Sequence, residues 1–162
     1  MENLKSIIDE HLLWLNDKEG GKKAILEGLD LKGADLKGVI LRGANLNRVN
    51  LSGADLTGAD LSAAYLIDAI LIDAKLIEAK LNDAELRRAD FCGADFSGAN
   101  CENANFREAY LLDVNFKNAN LNKANFLGAI QNEHFFTLFI DSDRLKKDPY
   151  FERKYFEYLQ RF

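Results

Sequence analysis

The sequence predicts an all-β solenoid, a chain that winds in short extended segments around one continuous apolar core. Two observations predict it. Every fifth residue from Leu26 to Phe126 is Leu or Phe, apart from Cys101, and this register runs unbroken through 21 positions. The residue two places before each of them is apolar and mostly small: 17 of those 21 residues are Ala, three are Val and one is Leu29. A fixed short period over most of a chain is typical of solenoids, whose stacked repeats share one core.

The five-residue period fits an extended chain with regular corners and does not fit an α-helix. On a helix each step of five residues rotates by about 500°, so the Leu positions would spiral round every side. In an extended segment residues two apart share a face, so the small and the large residue of one repeat both face inward. The two residues that follow must then turn the chain.

Glycine marks many of the predicted turns. Nine second turn positions are Gly, which readily adopts the positive φ that the third residue of a type II turn requires. They are Gly28, Gly33, Gly38, Gly43, Gly53, Gly58, Gly93, Gly98 and Gly128. Six others are Ala63, Asp68, Asp73, Glu78, Asp83 and Arg88. Because non-Gly residues resist positive φ, we expect those six turns to be of a different type.

The repeat resembles that of the pentapeptide repeat family, written A(D/N)LXX. Good matches are Ala34-Asp35-Leu36, Ala54-Asp55-Leu56-Thr57-Gly58, Ala59-Asp60-Leu61 and Ala94-Asp95-Phe96-Ser97-Gly98. The resemblance covers residues 24–130 and implies a right-handed quadrilateral β-helix with four repeats per coil, which for 21 repeats makes about five coils. Residues 20 apart would then stack. This predicts one corner ladder of alternating charge from Arg48, Asp68, Arg88 and Glu108.

Residues 1–23 are predicted to form an N-terminal α-helical cap on this β-helix. Apolar residues recur at helical spacing over residues 3–16, and a Gly pair ends the helix before the first repeat. A solenoid needs such a cover, because its end layer exposes apolar side chains and unpaired backbone groups. We expect His11 and Trp14, beside the apolar face, to pack against the first coil.

Residues 131–162 hold nine aromatic residues and are predicted to form an aromatic-rich C-terminal cap or dimerisation segment. Asp148-Pro149 is typical of a helix start, so the segment includes a predicted C-terminal helix. Nine aromatic side chains could bury on the order of 150–250 Å² each, more than one narrow coil end accepts. Either the segment forms a homodimer, which the resemblance favours, or it docks on the chain's own outer surface.

The composition argues against several classes of protein. The net charge is −5 and acidic and basic residues are interspersed, so no direct nucleic-acid binding is expected. No apolar run is long enough to span a membrane and the N-terminus is not a signal peptide, which predicts a cytoplasmic protein. His11 and His134 lie in opposite caps, and the glycines recur as turns. We therefore expect no enzyme and no catalytic, cofactor or metal site.

The five-residue register predicts which way the cysteine and carboxylate side chains point. Cys101 occupies an inward position, where it compensates for two larger Phe residues, while Cys92 occupies an outward turn position. Because they face different ways, a disulfide is not expected. Carboxylates that precede the inward residues, Asp60 among them, are expected to point into water, so Asp60→Lys should hardly affect stability.

One outward face carries the candidate binding site. With four repeats per coil, apolar residues stack in two neighbouring outward columns, which is unusual for a solvated surface. The tentative partner-binding residues are Ile70, Ile72, Cys92, Tyr110 and Leu112. The face would bind either a partner protein or the aromatic C-terminal segment.

Two functions fit these observations. The first is a non-enzymatic protein-interaction scaffold of the pentapeptide repeat type, with a protein partner that the sequence does not identify. The second, which the resemblance implies, is a DNA-mimicking modulator or protector of a type II topoisomerase (gyrase). DNA mimicry needs a strongly acidic rod, whereas basic residues are interspersed here, so the scaffold is the favoured interpretation.

Overall fold

A computed structural model describes residues 2–131 of the 162-residue chain. Helix α1 spans Glu2–Leu15. The rest of the described chain alternates between isolated parallel β-bridges and two-residue turns, with a period of five residues from Ile25 to Ile130. The predicted segment 131–162 lies outside the described residues apart from Gln131, as does the predicted helix start at Asp148.

The bridges define how the repeats stack. Each bridge joins two residues 20 positions apart, which is the length of four repeats, and the bridges form four parallel series. We call these series columns one to four, starting at Ile25, Asp30, Asp35 and Ile40, and we call four consecutive repeats a layer. Between layers, an inward residue donates to a carbonyl of the following layer, as Leu71 does to Asp90 at 2.7 Å. Every column therefore has the same hydrogen-bonded backbone.

The inward residues form one continuous core, as the register predicts. Leu76, in the middle of the stack, is fully buried, and so are the inward Leu residues of the layers around it. In the later layers Phe rings pack against one another, edge to face for Phe91 and Phe96, whose ring centroids are 5.1 Å apart. Cys101 is fully buried beside them, and burial raises the pKa of its thiol far above the usual range. Both Cys101 and Cys92 are free thiols.

The expectation of two turn types is wrong. All six non-Gly residues at the second turn position adopt positive φ, from 54° at Ala63 to 60° at Asp83, close to the 68° of Gly28. The carbonyl of Leu61 accepts the turn-closing hydrogen bond from Ala64 at 3.0 Å. The N–H of Ala63 itself donates to the Asn82 carbonyl of the next layer at 2.9 Å. Because each turn is held in a ladder between layers, stacking outweighs the roughly 1–2 kcal/mol that a side chain costs there.

Helix α1 caps the N-terminal end of the stack, close to the predicted residues 3–16. Three of its apolar residues pack against the core, namely Leu4, Ile7 and Ile8. His11 is fully buried, and its Nδ1 accepts a hydrogen bond from the N–H of Ala24 at 3.1 Å. Trp14 stacks on the His11 ring with centroids 5.4 Å apart and remains 39% exposed. The predicted packing of His11 against the first repeat is confirmed.

Within residues 2–131, no helix has the length and apolar character that crossing a bilayer requires.

Candidate functional site

The predicted binding residues lie together on the outside of column two. Ile70 and Ile72 belong to one layer, Cys92 to the next, and Tyr110 and Leu112 to the one after that, each 20 residues from its neighbour above or below. A sixth apolar residue, Ile130, forms a bridge with Tyr110 and extends the column. We call these six residues the apolar wall: Ile70, Ile72, Cys92, Tyr110, Leu112 and Ile130.

The wall is exposed although it is apolar. Its five large side chains are between 37 and 47% exposed, and Cys92 is half-buried. Leu127, in a turn of column one beside Ile130, is also exposed. Because Leu127 follows Phe126, the last inward residue, the five-residue register by itself predicts that it lies near this surface. Contiguous exposed apolar residues are typical of interaction surfaces.

The repeat itself aims these side chains outward. Ile70 and Tyr110 precede an inward residue and sit at bridge positions, so their side chains alternate with the core. Ile72 and Leu112 follow an inward residue and begin a turn. Their carbonyls are held by the neighbouring layer, since Gly93 donates to the Leu112 carbonyl at 2.8 Å. The wall is therefore presented by a backbone that is hydrogen-bonded on both sides.

A carboxylate lies in the middle of the wall. Asp90 stands between Ile70 and Tyr110 in column two, and its Oδ1 accepts a hydrogen bond from the N–H of Cys92 at 3.0 Å. Burial and the Asp90 carboxylate together raise the pKa of the Cys92 thiol. Because only the thiolate is a strong nucleophile, this environment suits Cys92 as part of a contact surface and not as a reactive centre.

Charged corners border the wall on both sides. On one side Arg88 donates to both carboxylate oxygens of Asp68, at 2.7 and 2.9 Å, and this hydrogen bond lowers the pKa of Asp68. On the other side the Asp73 carboxylate lies over Gly93, in the space that a Cβ at position 93 would take. The predicted corner ladder is confirmed for Asp68 and Arg88. Arg48 contributes to the lowered pKa of Asp68 and also pairs with Glu27 at 3.4 Å. Asp68 and, to a lesser extent, Glu108 raise the pKa of Arg88.

The outer surfaces of columns three and four are mostly polar by contrast, although column four begins with the exposed Ile40. In column three Asp55 is paired with Lys37 at 3.3 Å and with Lys75 at 3.8 Å. In column four the amide of Asn120 donates to the side-chain oxygen of Asn100 at 2.9 Å. Ion pairs and amide ladders thus cover these columns, and the apolar wall differs from both.

The expectation that Asp60 points into water is wrong. Its side chain is only 10% exposed, and its carboxylate accepts hydrogen bonds from Arg42 Nη2 at 3.0 Å and from the N–H of Ser62 at 3.1 Å. Burial by itself would raise the pKa of Asp60, but the hydrogen bonds from Ser62 and Arg42 outweigh it and the pKa is lowered. Asp60 therefore belongs to the structure of column four.

Comparisons with known proteins agree with this architecture. The family described as "Pentapeptide repeats (8 copies)" matches residues 24–62, and that described as "Pentapeptide repeat region" matches residues 44–126. The chain is similar to the solved structure of Rfr23, a pentapeptide repeat protein from the cyanobacterium Cyanothece 51142. The identity is 27%, 68% of this chain and 87% of that chain are covered, and the TM-score is 0.65.

Two further solved structures are similar to this chain. A pentapeptide repeat protein from Nostoc PCC 7120 is 24% identical over 79% of this chain and 94% of that one, with a TM-score of 0.56, which indicates the shared fold alone. Full-length QnrB1, a plasmid-mediated fluoroquinolone resistance protein, is 19% identical over 77% of this chain and 75% of that one. Its TM-score of 0.28 is too low to support an argument about function. Among curated protein sequences, none matches this chain.

Proposed function

The chain belongs to the pentapeptide repeat family, and we propose that it is a non-enzymatic protein-interaction scaffold that binds a protein partner through the apolar wall. In this proposal the repeats form a right-handed quadrilateral β-helix of about five coils, which acts as a rigid rod. The cytoplasm remains the predicted location.

The observation that carries the proposal is the exposure of the wall. Ile70, Ile72, Tyr110 and Leu112 keep more than a third of their surface in water. Exposed apolar residues occur at bridge positions elsewhere, namely Ile25, Ile40 and Tyr65, but those of the wall follow one another along one column. Covering what remains exposed would contribute roughly 0.5–1 kcal/mol per side chain. Tyr110 is the one aromatic residue of the wall, and aromatic residues are enriched among the strongest contributors to protein interfaces.

The backbone of the wall favours binding for a second reason. Its carbonyls and N–H groups are already bonded to the layers on either side, for example Phe91 N–H to the Tyr110 carbonyl at 2.9 Å. A surface that is ordered before it meets its partner loses little conformational entropy on binding. A modest apolar area can then still give a specific complex.

The test is affinity capture with the tagged full-length chain and two double variants. The wall variant carries Tyr110→Ser and Leu112→Ser. The control variant carries Asn115→Ser and Lys117→Ser, the same repeat positions one repeat later on column three. A partner should be retained by the wild type and by the control variant and should fall at least about tenfold with the wall variant, as for loss of two interface anchors. Identical capture by all three proteins would contradict the proposal.

No feature of the described residues favours the alternative of a DNA-mimicking gyrase modulator. Three acidic side chains that would contribute to a DNA-like surface, those of Asp55, Asp60 and Asp68, are each paired with a basic side chain. Such pairing reduces the negative potential that mimicry requires. In a gyrase supercoiling assay we expect no effect of the protein, and inhibition or protection at stoichiometric concentration would reinstate the alternative.

A further inference from the structure

We propose that residues 132–162 of the same chain dock on the apolar wall. The first reason is where the chain leaves the repeats. Ile130 forms the last bridge of column two, on Tyr110, and Gln131 is the last described residue. The remaining chain therefore starts at the end of the wall itself. Competition with a partner rests on the proposed function, whereas the docking does not.

The segment is long enough to cover the whole wall. Ile70 lies three layers below Ile130, which at about 4.8 Å per layer is roughly 14 Å. About five extended residues or about ten helical residues span that distance. Residues 132–162 supply 31. Reach therefore does not limit docking in either conformation.

The chemistry of the segment complements that of the wall. Residues 132–162 contain nine aromatic residues, which match a surface of Ile, Leu and Tyr side chains. Its acidic and basic residues are equal in number, so no net charge opposes contact with the wall and its central Asp90. The match between the segment and the wall is therefore apolar, between aromatic rings and Ile, Leu and Tyr side chains.

Tethering favours the segment of the same chain over that of a second copy. A segment joined directly to the wall experiences an effective concentration in the millimolar range. A second copy of the chain would need a comparable protein concentration to compete. We therefore assign the wall to the chain's own C-terminal segment, and a second copy is an outcome that the test distinguishes.

The two cysteines of the chain allow this docking to be measured. Cys92 is half-buried at the middle of the wall, while Cys101 is fully buried in the core and has a strongly raised thiol pKa. Under native conditions a thiol reagent such as dithiobis(nitrobenzoate) reports the accessibility of Cys92. Cys101 reacts only when the core opens, so it serves as an internal control for folding.

The experiment compares three full-length proteins: the wild type, a variant with Phe151→Ser and Tyr155→Ser, and a control variant with Glu152→Ser and Glu157→Ser. The first variant removes aromatic residues at the predicted helical spacing, and the control removes charges from the same segment. We expect Cys92 to react at least about tenfold faster in the aromatic variant than in the other two, which corresponds to a wall covered in about nine-tenths of wild-type molecules. Cys101 should stay slow in all three.

Two results would overturn the inference. Equal Cys92 rates in the wild type and the aromatic variant would place the segment elsewhere. A wild-type rate that rises on dilution to nanomolar protein would assign the wall to a second copy. A failure of the proposed function alone would give a different result. Cys92 would stay protected in the wild type, and the wall variant would capture as much partner as the wild type does.

Discussion

Columns two and four share one backbone and present opposite surfaces. Leu71 N–H donates to Asp90 in column two at 2.7 Å, and Leu61 N–H donates to Lys80 in column four at 2.8 Å. Outside that ladder, column two carries exposed apolar side chains, whereas column four carries a partly buried ion pair and an Asn ladder. The comparison teaches that the inward residues build this fold, while the outward residues are free to acquire different chemistry on each column.

The largest expected effect comes from the core that both columns share. Leu76→Asp should unfold the protein, since a buried carboxylate without a partner costs several kcal/mol in a fully buried position. The control is Lys80→Ser, at an exposed outward position, which should change stability by less than about 0.5 kcal/mol. Circular dichroism melts of the two variants measure the difference. Similar small shifts for both would show that the inward assignment is wrong.

The next prediction compares the same substitution at the bridge position of column four, Asp60, and of column two, Asp90. Asp60→Lys should destabilise the protein by roughly 1–3 kcal/mol, because Arg42 loses a partly buried partner and meets a like charge. Asp90→Lys should cost less, roughly 0.5–1.5 kcal/mol, because only the hydrogen bond to the Cys92 N–H is lost. The urea midpoints of the two variants decide the order. A larger loss for Asp90→Lys would reverse the comparison.

A pH effect is expected where α1 meets the first repeat. Burial lowers the pKa of His11 below 6.5, with Lys23 adding to the shift and the Arg42 backbone opposing it. The unfolded chain then binds more protons than the native one, so stability should fall as the pH drops below about 6.5 and level off below the native pKa. His11→Gln should flatten this part of the stability profile in urea titrations from pH 8 to 5. An unchanged slope would assign it to another group.

The smallest expected effect concerns the wall itself. Tyr110→Ser with Leu112→Ser should shift the free energy of unfolding by no more than about 1 kcal/mol, because more than a third of each residue is exposed and their backbone bonds remain. Its thermal midpoint should therefore match that of the Asn115→Ser, Lys117→Ser control. A clear destabilisation would mean that the wall serves folding and not binding.

Much of the fold follows from the sequence because it is local. The five-residue register assigns Leu76 and Cys101 to the core, and the helical spacing predicts α1 to within a residue or two of Glu2–Leu15. Predicting the candidate site required one further number, the 20 residues in each layer. That number shows which outward residues lie next to one another in neighbouring layers. Ile130 and Leu127 complete the surface, and their position in the repeat was sufficient to find them.

By itself, the sequence determined which side chains face the core, because a strict period leaves only one apolar face to bury. The tertiary structure alone decided what each outward residue meets one layer away. Ala63 adopts positive φ because its N–H bonds to Asn82, against its local preference. Asp60 is buried because Arg42 reaches it from 18 residues earlier, and His11 is held by Ala24. Contacts between layers depend on residues far apart in the chain, and local propensity carries no information about them.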